Sequence, residues 1–503
     1  MENSALSMLP PIITIILALW TKEVYMSLII GIFSGAMLFT GGSFLESIVT
    51  MFGIMESKVG GNVNILVFLV ILGILVAAIS RSGATKAYGD WARSVISGRR
   101  SALGLTAFLG MLIFIDDYFN CLTVGTIMRP VTDKFKIARA KLAYVIDATA
   151  APICIIAPVS SWAAAVGSSL PEGSGIDGFA LFIETIPFNL YAILTMIFMA
   201  FIIVTGRDFA TMGKAVEKSN ANFEVPTEYQ ENVSAEQMHV GNGKIIDLVL
   251  PLIVLIGGCI YGMLYTGGIQ DGATISAAFA DCDASKGLVI GSFTAFVFTA
   301  LLYLPRKVVS FESFCGCFGQ GFKAMVPAIF ILCLAWTLSG ICGNDYLNLG
   351  GYVGTVVNEH ASIAVFLPVI FFLVSIGLAF ATGTSWGTFG ILIPIALSIL
   401  TQFPADEAAK LLVICVAAIL SGAVGGDHAS PISDTTILAS AGAQCHHLEH
   451  VSTQVPYVIT VSICCVIGYL VGGVTLNGWL GLGVALACLA VVMIVVRAKV
   501  SAK

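Results

Sequence analysis

Long apolar runs fill most of this 503-residue chain, and short polar segments separate them. Because a helix needs about 20 apolar residues to cross a bilayer, we predict spanning helices over the uninterrupted runs. These runs cover residues 6–20, 24–39, 65–80, 179–205, 245–265, 288–304, 324–341, 455–474 and 479–496. Outer-membrane strands would instead alternate apolar and polar residues in short segments. The pattern therefore predicts an all-α polytopic membrane protein.

Four other apolar runs carry polar residues at their centres. They cover residues 103–128, 142–170, 363–400 and 411–443. An unpaired backbone group in hydrocarbon is costly, so such interruptions are tolerated only inside protein or around a water-filled cavity. Interrupted segments in corresponding halves of a chain indicate the binding site of a secondary transporter.

The most polar interruption is the stretch 425–436, which reads GGDHASPISDTT. Its Ser-Pro-Ile-Ser-Asp core, residues 430–434, lines up with residues 157–161, which read APVSS. Each copy follows another interrupted run at a similar distance. We therefore predict an internal two-fold repeat, with residues 1–206 and 245–475 as the repeats, 207–244 as a connector and 476–503 as an extra span.

Basic residues flank the run 103–128 on both sides. Arg99 and Arg100 precede it, and Arg129 and Lys134 follow it. Since Lys and Arg concentrate in cytoplasmic loops, we predict that this run enters and leaves the membrane on one side, as a re-entrant hairpin. The corresponding run in the second half is predicted to do the same. Each repeat then holds one hairpin and one broken helix, and the odd number of crossings in the first makes the repeats inverted.

The charge distribution also predicts an orientation. With the N-terminus outside and the C-terminus inside, every Lys and Arg lies inside except Lys58, Lys286 and Lys410. The outer loops then carry acidic residues, namely Glu172, Asp177, Asp271, Asp281, Asp283, Asp345 and Glu359. We predict a multi-pass protein of the cytoplasmic (inner) membrane. The 13 Cys residues include no CxxC motif and are interpreted as apolar packing residues.

Ionisable residues at membrane depth are rare here, because only 11% of the residues are charged. No Lys or Arg lies deep within a predicted span. The deep ionisable residues are Asp116, Asp117, Asp147, Asp427, His428 and Asp434. An Asp at the centre of a span costs roughly 3 kcal/mol and marks an ion or substrate pathway. An interior that carries acids without bases favours a cation, or a substrate with a positive group.

Oxygen-bearing side chains cluster at the four interruptions, and sodium prefers oxygen ligands. We predict Asn120, Ser161, Thr384, Ser385 and Asp434 as sodium ligands. The wider predicted substrate- and ion-binding set is Asp116, Asp117, Asn120, Asp147, Ser160, Ser161, Thr382, Thr384, Ser385, Trp386, Asp427, His428, Ser433, Asp434 and Thr435. A carboxylate that binds a proton in one state and a cation in the other would couple the two ions.

One motif suggests a different chemistry. Residues 446–450 read HHLEH and match the HxxEH pattern of zinc peptidases, but no third ligand is evident. We interpret them as a solvated or pH-responsive cytoplasmic loop. We expect that the protein is not an enzyme, needs no cofactor and binds no nucleic acid.

The stretch 425–435, together with GTSWGT at residues 383–388, resembles the NhaC-type sodium/proton antiporter family of the ion-transporter superfamily. The resemblance covers most of the chain. It implies an inverted-repeat, elevator-type fold in the lipid bilayer, with a scaffold domain that often dimerises. We therefore expect a homodimer.

Two functions remain open at this point. The simplest is secondary active exchange of the sodium ion for the proton. Proteins similar to this family also exchange organic acids or import amino acids, some of them driven by sodium. The alternative is therefore sodium-coupled transport of a small amino acid or organic acid through the same site.

Overall fold

The computed structural model describes residues 4–21, 23–170, 176–221, 223, 241–280, 282–343, 345–349, 352, 361–400, 403 and 405–501, and these contain helices but no strands. Eight of the described helices are long and apolar enough to cross a membrane, and two bent helix pairs raise that number to ten. This confirms the predicted all-α polytopic class. Lys22, Glu172, Asp281, Glu359 and residues 224–240 of the predicted connector lie outside the described residues.

The first thirteen helices comprise those of the first half and α13, which lies within the predicted connector. They are α1 Leu9–Thr21, α2 Val24–Phe39, α3 Phe44–Gly61, α4 Val63–Ser82, α5 Ala84–Val95, α6 Arg99–Leu112, α7 Asp117–Lys134, α8 Arg139–Ala148, α9 Ala151–Cys154, α10 Ser161–Ser168, α11 Gly178–Thr185, α12 Leu190–Thr205 and α13 Ala210–Ala221.

The second half follows the connector with ten further helices among the described residues. They are α14 Ile246–Thr266, α15 Ile275–Ala280, α16 Ala284–Tyr303, α17 Phe311–Cys342, α18 Leu367–Thr382, α19 Ser385–Leu400, α20 Ala405–Ala429, α21 Asp434–Ala443, α22 His447–Thr475 and α23 Gly478–Lys499.

Apart from the six-residue α15, three helices were not predicted, namely α3, α5 and α13. Each carries charged residues, so none forms an uninterrupted apolar run. Each instead packs on its neighbours, as α3 does on α2 and α17. Amphipathic helices bury one face only, and a search for long apolar runs does not detect them. Two predicted boundaries also change, because a 3-10 turn at Ile186–Phe188 divides the predicted span 179–205 and α17 begins 13 residues before the predicted 324.

The predicted hairpin in the first half is confirmed by a contact between its two ends. Arg99, the first residue of α6, donates hydrogen bonds to the backbone oxygens of Phe135 and Lys136, just after α7, at 2.9 and 3.2 Å. The 14 residues of α6 span about 21 Å, which is shorter than the roughly 30 Å hydrocarbon core. The chain therefore returns to the side from which it entered.

Four interruptions divide the predicted runs at the expected places. The first hairpin tip (residues 113–116) separates α6 from α7, and the first break (155–160) separates α9 from α10. The second hairpin tip (383–384) separates α18 from α19, and the second break (430–433) separates α20 from α21. The order of hairpin and broken helix is thus the same in both halves.

The helices pack into two bodies. One contains α1–α5 and α14–α17, and the other contains α6–α13 and α18–α23. All four interruptions belong to the second body. Contacts between the bodies include those of α17 with α19 and of α1 with α18. The candidate site is therefore held in one packed unit beside a second one.

Candidate ion-binding site

Within each half, the hairpin tip contacts the break of the same half. In the first half, the backbone N–H of Ser161 donates a hydrogen bond of 2.8 Å to the carbonyl of Ile115. In the second half, Gly383 has a φ of +70° and lies against the backbone carbonyl of Ile432. A side chain at Gly383 would collide with that carbonyl, so the close approach requires glycine.

The two halves also contact each other at the same level. The hydroxyl of Tyr118, at the start of α7, lies 3.4 Å from Oδ2 of Asp434, at the start of α21. The rings of Trp162 and Trp386 are 6.2 Å apart and meet edge to face. All four interruptions therefore meet in one region, as paired interruptions predict.

Four helices begin at these interruptions, and three of them have a hydroxyl N-cap. Ser160 accepts a hydrogen bond from the N–H of Ala163, Thr384 from Gly387 and Ser433 from Thr436, at 3.2, 3.3 and 3.3 Å. The predicted site residues Ser160, Thr384 and Ser433 therefore cap α10, α19 and α21. Helix N-termini carry partial positive charge, so their convergence also favours an anionic group nearby.

The first half supplies three buried side-chain oxygens that accept no hydrogen bond from any described residue. They are Oδ1 of Asp117, Oδ1 of Asn120 and Oγ of Ser161. Asp117 and Asn120 lie three residues apart on α7 and so share a face. The indole N–H of Trp162 donates to the other oxygen of Asp117 at 3.2 Å, which places Asp117 beside the start of α10. Buried polar atoms normally have partners, so this trio is a candidate ligand set.

The amide nitrogen of Asn120 holds the first hairpin tip together. Its Nδ2 lies 2.7 Å from the carbonyl of Gly110, 2.9 Å from that of Ile113 and 3.0 Å from that of Thr149. Three acceptors around one nitrogen fix the orientation of the amide. Its oxygen is thereby the atom left for a ligand.

The predicted site hydroxyls of the second half already form hydrogen bonds within the protein. Thr382 donates to the carbonyl of Leu378 at 2.7 Å, and Ser385 donates to that of Ala423 at 3.2 Å. Thr435 donates to Oδ2 of Asp427 at 2.5 Å. Of the predicted sodium ligands, Asn120 and Ser161 therefore carry unpaired oxygens, whereas Thr384 and Ser385 serve the backbone.

Asp434 differs from the other acids in being exposed. Asp116, Asp117 and Asp427 are buried around it in the same region. Its carboxylate faces Tyr118, and Tyr25 of the other body lies within electrostatic range. Asp434 therefore lies where the second break faces the other body, in an accessible position.

Two predicted site residues belong to a separate polar cluster. They are Asp147, near the end of α8, and His428, on α20. Nε2 of His428 lies 3.9 Å from Oδ1 of Asp147. The same carboxylate contacts two residues of α22, His450 of the HHLEH stretch and Gln454, of which only Gln454 was not singled out in the sequence. The interpretation of residues 446–450 as a solvated loop is wrong for His450, because α22 begins at His447 and buries it completely.

His447 and His450, both within residues 446–450, contact different partners. His447 lies 2.6 Å from the carbonyl of Pro431, whereas His450 faces Asp147. Among the described residues, no three His, Cys, Asp or Glu side chains lie close enough together to hold a metal ion.

Three acids of the site, Asp117, Asp427 and Asp434, form no ion pair with a described Lys or Arg. In the described part of the chain, the ion pairs of Lys and Arg involve Asp133, Asp208, Asp247 and Asp283. None of them involves Asp117, Asp427 or Asp434. Buried carboxylates without a compensating base favour a cation from outside the protein.

Comparison with known proteins gives the family. A sequence profile described as the Na⁺/H⁺ antiporter family matches residues 154–474, and this range contains three of the four interruptions. The chain belongs to the Na⁺/H⁺ antiporter family. This confirms the predicted membership. The protein is therefore a sodium-coupled secondary transporter, of a family that transports sodium ions and protons.

Relatives of this antiporter-family chain occur in bacteria. An uncharacterized protein of Haemophilus influenzae is 38% identical and covers 99% of this chain and 96% of its own. A malate-2H⁺/Na⁺-lactate antiporter of Bacillus subtilis is 32% identical over 186 residues, which are 35% of this chain and 37% of that protein. The solved structure of the Alcanivorax borkumensis YdaH transporter matches with a TM-score of 0.47 and 13% identity, over 87% of this chain and 89% of that one.

Proposed function

We propose that this transporter exchanges sodium for protons across the cytoplasmic membrane and that sodium binds between the first hairpin tip and the first break. The supporting observation is the trio of unpaired buried oxygens on Asp117, Asn120 and Ser161. Carboxylate, amide and hydroxyl oxygens are the ligands that a hard cation prefers. Backbone carbonyls freed at the interruptions complete such a shell.

The second half contributes an entry point in this proposal. Asp434 is exposed and lies 3.4 Å from the hydroxyl of Tyr118, one residue after Asp117. An accessible carboxylate attracts a hydrated cation, and the neighbouring buried oxygens then replace its water. Asp427, held by Thr435, fixes the end of α20 against the start of α21.

The proposal includes a movement and an orientation. The body with α6–α13 and α18–α23 carries the site and moves past the other body, as in elevator-type transport. The N-terminus lies outside, the C-terminus lies in the cytoplasm, and the body with α1–α5 and α14–α17 forms the homodimer scaffold. The packing of the helices into two bodies supports this division.

A second candidate function is sodium-coupled exchange of a small organic acid. The convergence of the N-termini of α7, α10, α19 and α21 supports it, because helix N-termini bind carboxylates. The 32% identity to the Bacillus subtilis malate-2H⁺/Na⁺-lactate antiporter over part of the chain supports it as well. In this version Asp117, Asn120 and Ser161 bind the coupling sodium.

Flux measurements in proteoliposomes separate the two functions. A plain exchanger lets sodium alone collapse an imposed pH gradient and accumulates ²²Na⁺ when the lumen is acidic. A solute carrier does neither until a carboxylic acid such as lactate or malate is added. Rapid sodium-dependent proton flux without any solute would exclude the organic-acid version.

Ser161→Ala tests the proposed sodium ligands. A lost interaction with a charged group costs about 1.5–3 kcal/mol, so we expect sodium affinity to fall roughly 10- to 100-fold. The matched control is Ser169→Ala, since that buried hydroxyl, about two helix turns beyond Ser161, already donates to the carbonyl of Ala165 at 2.8 Å. Equal sodium affinities for both variants would place the ion elsewhere.

A further inference from the structure

A buried carboxylate and a buried imidazole face each other outside the proposed sodium site. Oδ2 of Asp147 on α8 lies 3.4 Å from Nε2 of His450 on α22, and neither residue is exposed. Neither ring nitrogen of His450 forms a hydrogen bond with another described residue. The pair thus joins the first broken helix to a helix that follows the second.

The other partners of Asp147 are neutral donors. Gln454 donates an N–H to Oδ2 at 2.6 Å and a second hydrogen bond to the carbonyl of His428 at 2.9 Å. Thr436 donates its hydroxyl to the same Oδ2 at 3.3 Å. Oδ1 accepts no hydrogen bond from a described residue. Neutral donors alone leave a buried negative charge uncompensated, and such a charge is costly.

His428 lies on the other side of the carboxylate but has a partner of its own. Its Nε2 is 3.9 Å from Oδ1 of Asp147, and its Nδ1 is 3.1 Å from the hydroxyl of Tyr191 on α12. The distance of 3.9 Å is too long for a hydrogen bond. His450 is therefore the imidazole closer to the carboxylate.

The surroundings of the pair contain acids and neutral groups. The titratable groups that face Asp147 from neighbouring helices are Cys121 on α7, Tyr191 on α12, Asp427 and His428 on α20 and His450 on α22. Arg99 and Arg100 are the first residues of α6. Gly110, which contacts Thr149, lies near the opposite end of that helix. Near the start of α8, Lys141 pairs with Asp208 at 2.5 Å. No described Lys or Arg forms an ion pair with Asp147.

We propose that Asp147 and His450 form a proton-binding site that is distinct from the sodium site. The inference rests on the proposed exchange of sodium for protons. In the empty state the pair is a carboxylate beside a neutral imidazole. Uptake of one proton, which becomes shared between Nε2 and Oδ2, cancels the buried negative charge. Release of the proton restores that charge. Imidazole suits this role because its charge changes between about pH 5 and pH 8.

A short segment of α8 connects the proton site to the sodium site. Thr149, two residues after Asp147, accepts a hydrogen bond of 3.0 Å from the amide of Asn120, whose oxygen is a proposed sodium ligand. The hydroxyl of Thr436, 3.3 Å from Oδ2 of Asp147, also lies 3.3 Å from the carbonyl of Asp427, beside the second break. A change of charge at Asp147 therefore acts on groups that shape the first hairpin tip and the second break.

The test compares His450→Gln and Asp147→Asn with the control His446→Gln. His446 is exposed and lies one helix turn before His450. The measured quantity is the sodium affinity of the purified full-length protein, obtained from sodium-induced thermal stabilisation at about pH 6 and about pH 8. Proteoliposomes containing the same variants report ²²Na⁺ uptake driven by a pH gradient.

We expect the wild type and His446→Gln to bind sodium more weakly at the lower pH, by about 5- to 150-fold, the usual range for coupling between two sites. In His450→Gln and Asp147→Asn this pH dependence disappears, and uptake no longer follows the pH gradient. Sodium-induced stabilisation persists in both, which shows that they are folded. If either variant cannot be purified, His450→Asn is measured in its place.

The possible failures are distinguishable. A wild type whose sodium affinity and fluxes do not respond to pH would overturn the proposed exchange. A pH-dependent wild type together with unchanged pH dependence in His450→Gln or Asp147→Asn would overturn the separate proton site alone. Loss of all sodium binding in both folded variants would show that this cluster belongs to the sodium site itself, which also overturns the inference.

Discussion

The guanidinium of Arg139 donates hydrogen bonds to the backbone and side-chain oxygens of Gln444, at 3.1 and 3.2 Å. Arg139 is the first residue of α8, where the first broken helix begins, and Gln444 follows α21, where the second one ends. The two broken helices also pack side by side. They therefore run in opposite directions, as an inverted repeat requires.

Cysteine labelling tests the first hairpin and its orientation. Arg100→Cys and Lys134→Cys should react with membrane-impermeant thiol reagents from the same face, because Arg99 contacts Phe135 and Lys136. Lys286→Cys, near the start of the 20-residue α16, should react from the opposite face. The exposed native Cys315 is replaced by Ser beforehand. Labelling of positions 100 and 134 from opposite faces would contradict the hairpin.

Asn120→Ala should destabilise the protein even without sodium. The substitution leaves the buried carbonyls of Gly110, Ile113 and Thr149 without their donor. A buried polar group without a partner costs about 1–3 kcal/mol, so the thermal unfolding midpoint in detergent should fall clearly. Asn220→Ala, at an exposed position on α13, should leave it nearly unchanged. Equal midpoints would show that Asn120 does not hold the hairpin tip.

Asp434→Asn should abolish sodium transport while the protein still folds. The change preserves the shape of the side chain but removes the accessible charge that faces Tyr118. ²²Na⁺ uptake should fall further than in Ser161→Ala, which removes one neutral oxygen. Asp271→Asn, in an exposed loop, is the control. Transport with wild-type sodium dependence in Asp434→Asn would remove Asp434 from the ion pathway.

A buried ion pair at the start of α8 should contribute strongly to stability. Lys141 lies 2.5 Å from Asp208, which also accepts a hydrogen bond of 3.0 Å from Tyr457. Lys141→Met leaves the carboxylate buried and unpaired, which costs about 3–5 kcal/mol. We expect a much lower unfolding midpoint, and partial recovery when Asp208→Leu is added.

The control for this pair is Lys286→Met. Lys286 and Asp283 form an ion pair of 2.9 Å on the surface, where water screens the interaction. Its loss should barely change the unfolding midpoint. Equal decreases in the unfolding midpoint for Lys141→Met and Lys286→Met would show that burial does not increase the contribution of the ion pair.

Gly383→Ala should disrupt the second hairpin tip. Its φ of +70° strains any other residue, and an added Cβ would collide with the carbonyl of Ile432. Gly377→Ala, on α18, meets open space and should be neutral or slightly stabilising. The comparison uses unfolding midpoints and ²²Na⁺ uptake. Normal transport in Gly383→Ala would show that this close contact is dispensable.

The sequence predicted the four interruptions because their causes are local. Pro, Gly and charged residues cannot continue an apolar helix in hydrocarbon without help from neighbours. This placed the tips and breaks near Asp116, Ser160, Gly383 and Pro431, where the structure has them. The hairpin followed from basic residues on both sides of one run, since the positive-inside rule depends on the sequence alone.

The sequence did not predict which side chains meet at the interruptions. It predicted Ser161, Thr384 and Ser385 alike as sodium ligands, whereas Thr384 caps a helix, Ser385 donates to a carbonyl and Ser161 carries an unpaired oxygen. A hydroxyl can serve as a cap, a backbone donor or a ligand, and its neighbours decide between them. The same limit explains why Gln454 was not detected.

The sequence by itself determined that the chain is a membrane protein whose two halves carry corresponding polar interruptions, and that no Lys or Arg lies deep within a predicted span. These properties depend on residue type and on spacing within a few helical turns. Only the tertiary structure decided that His450 is buried against Asp147, 303 residues away along the chain, and that the broken helices run antiparallel. Contacts between distant segments arise from packing, and a single sequence does not encode them in any local pattern.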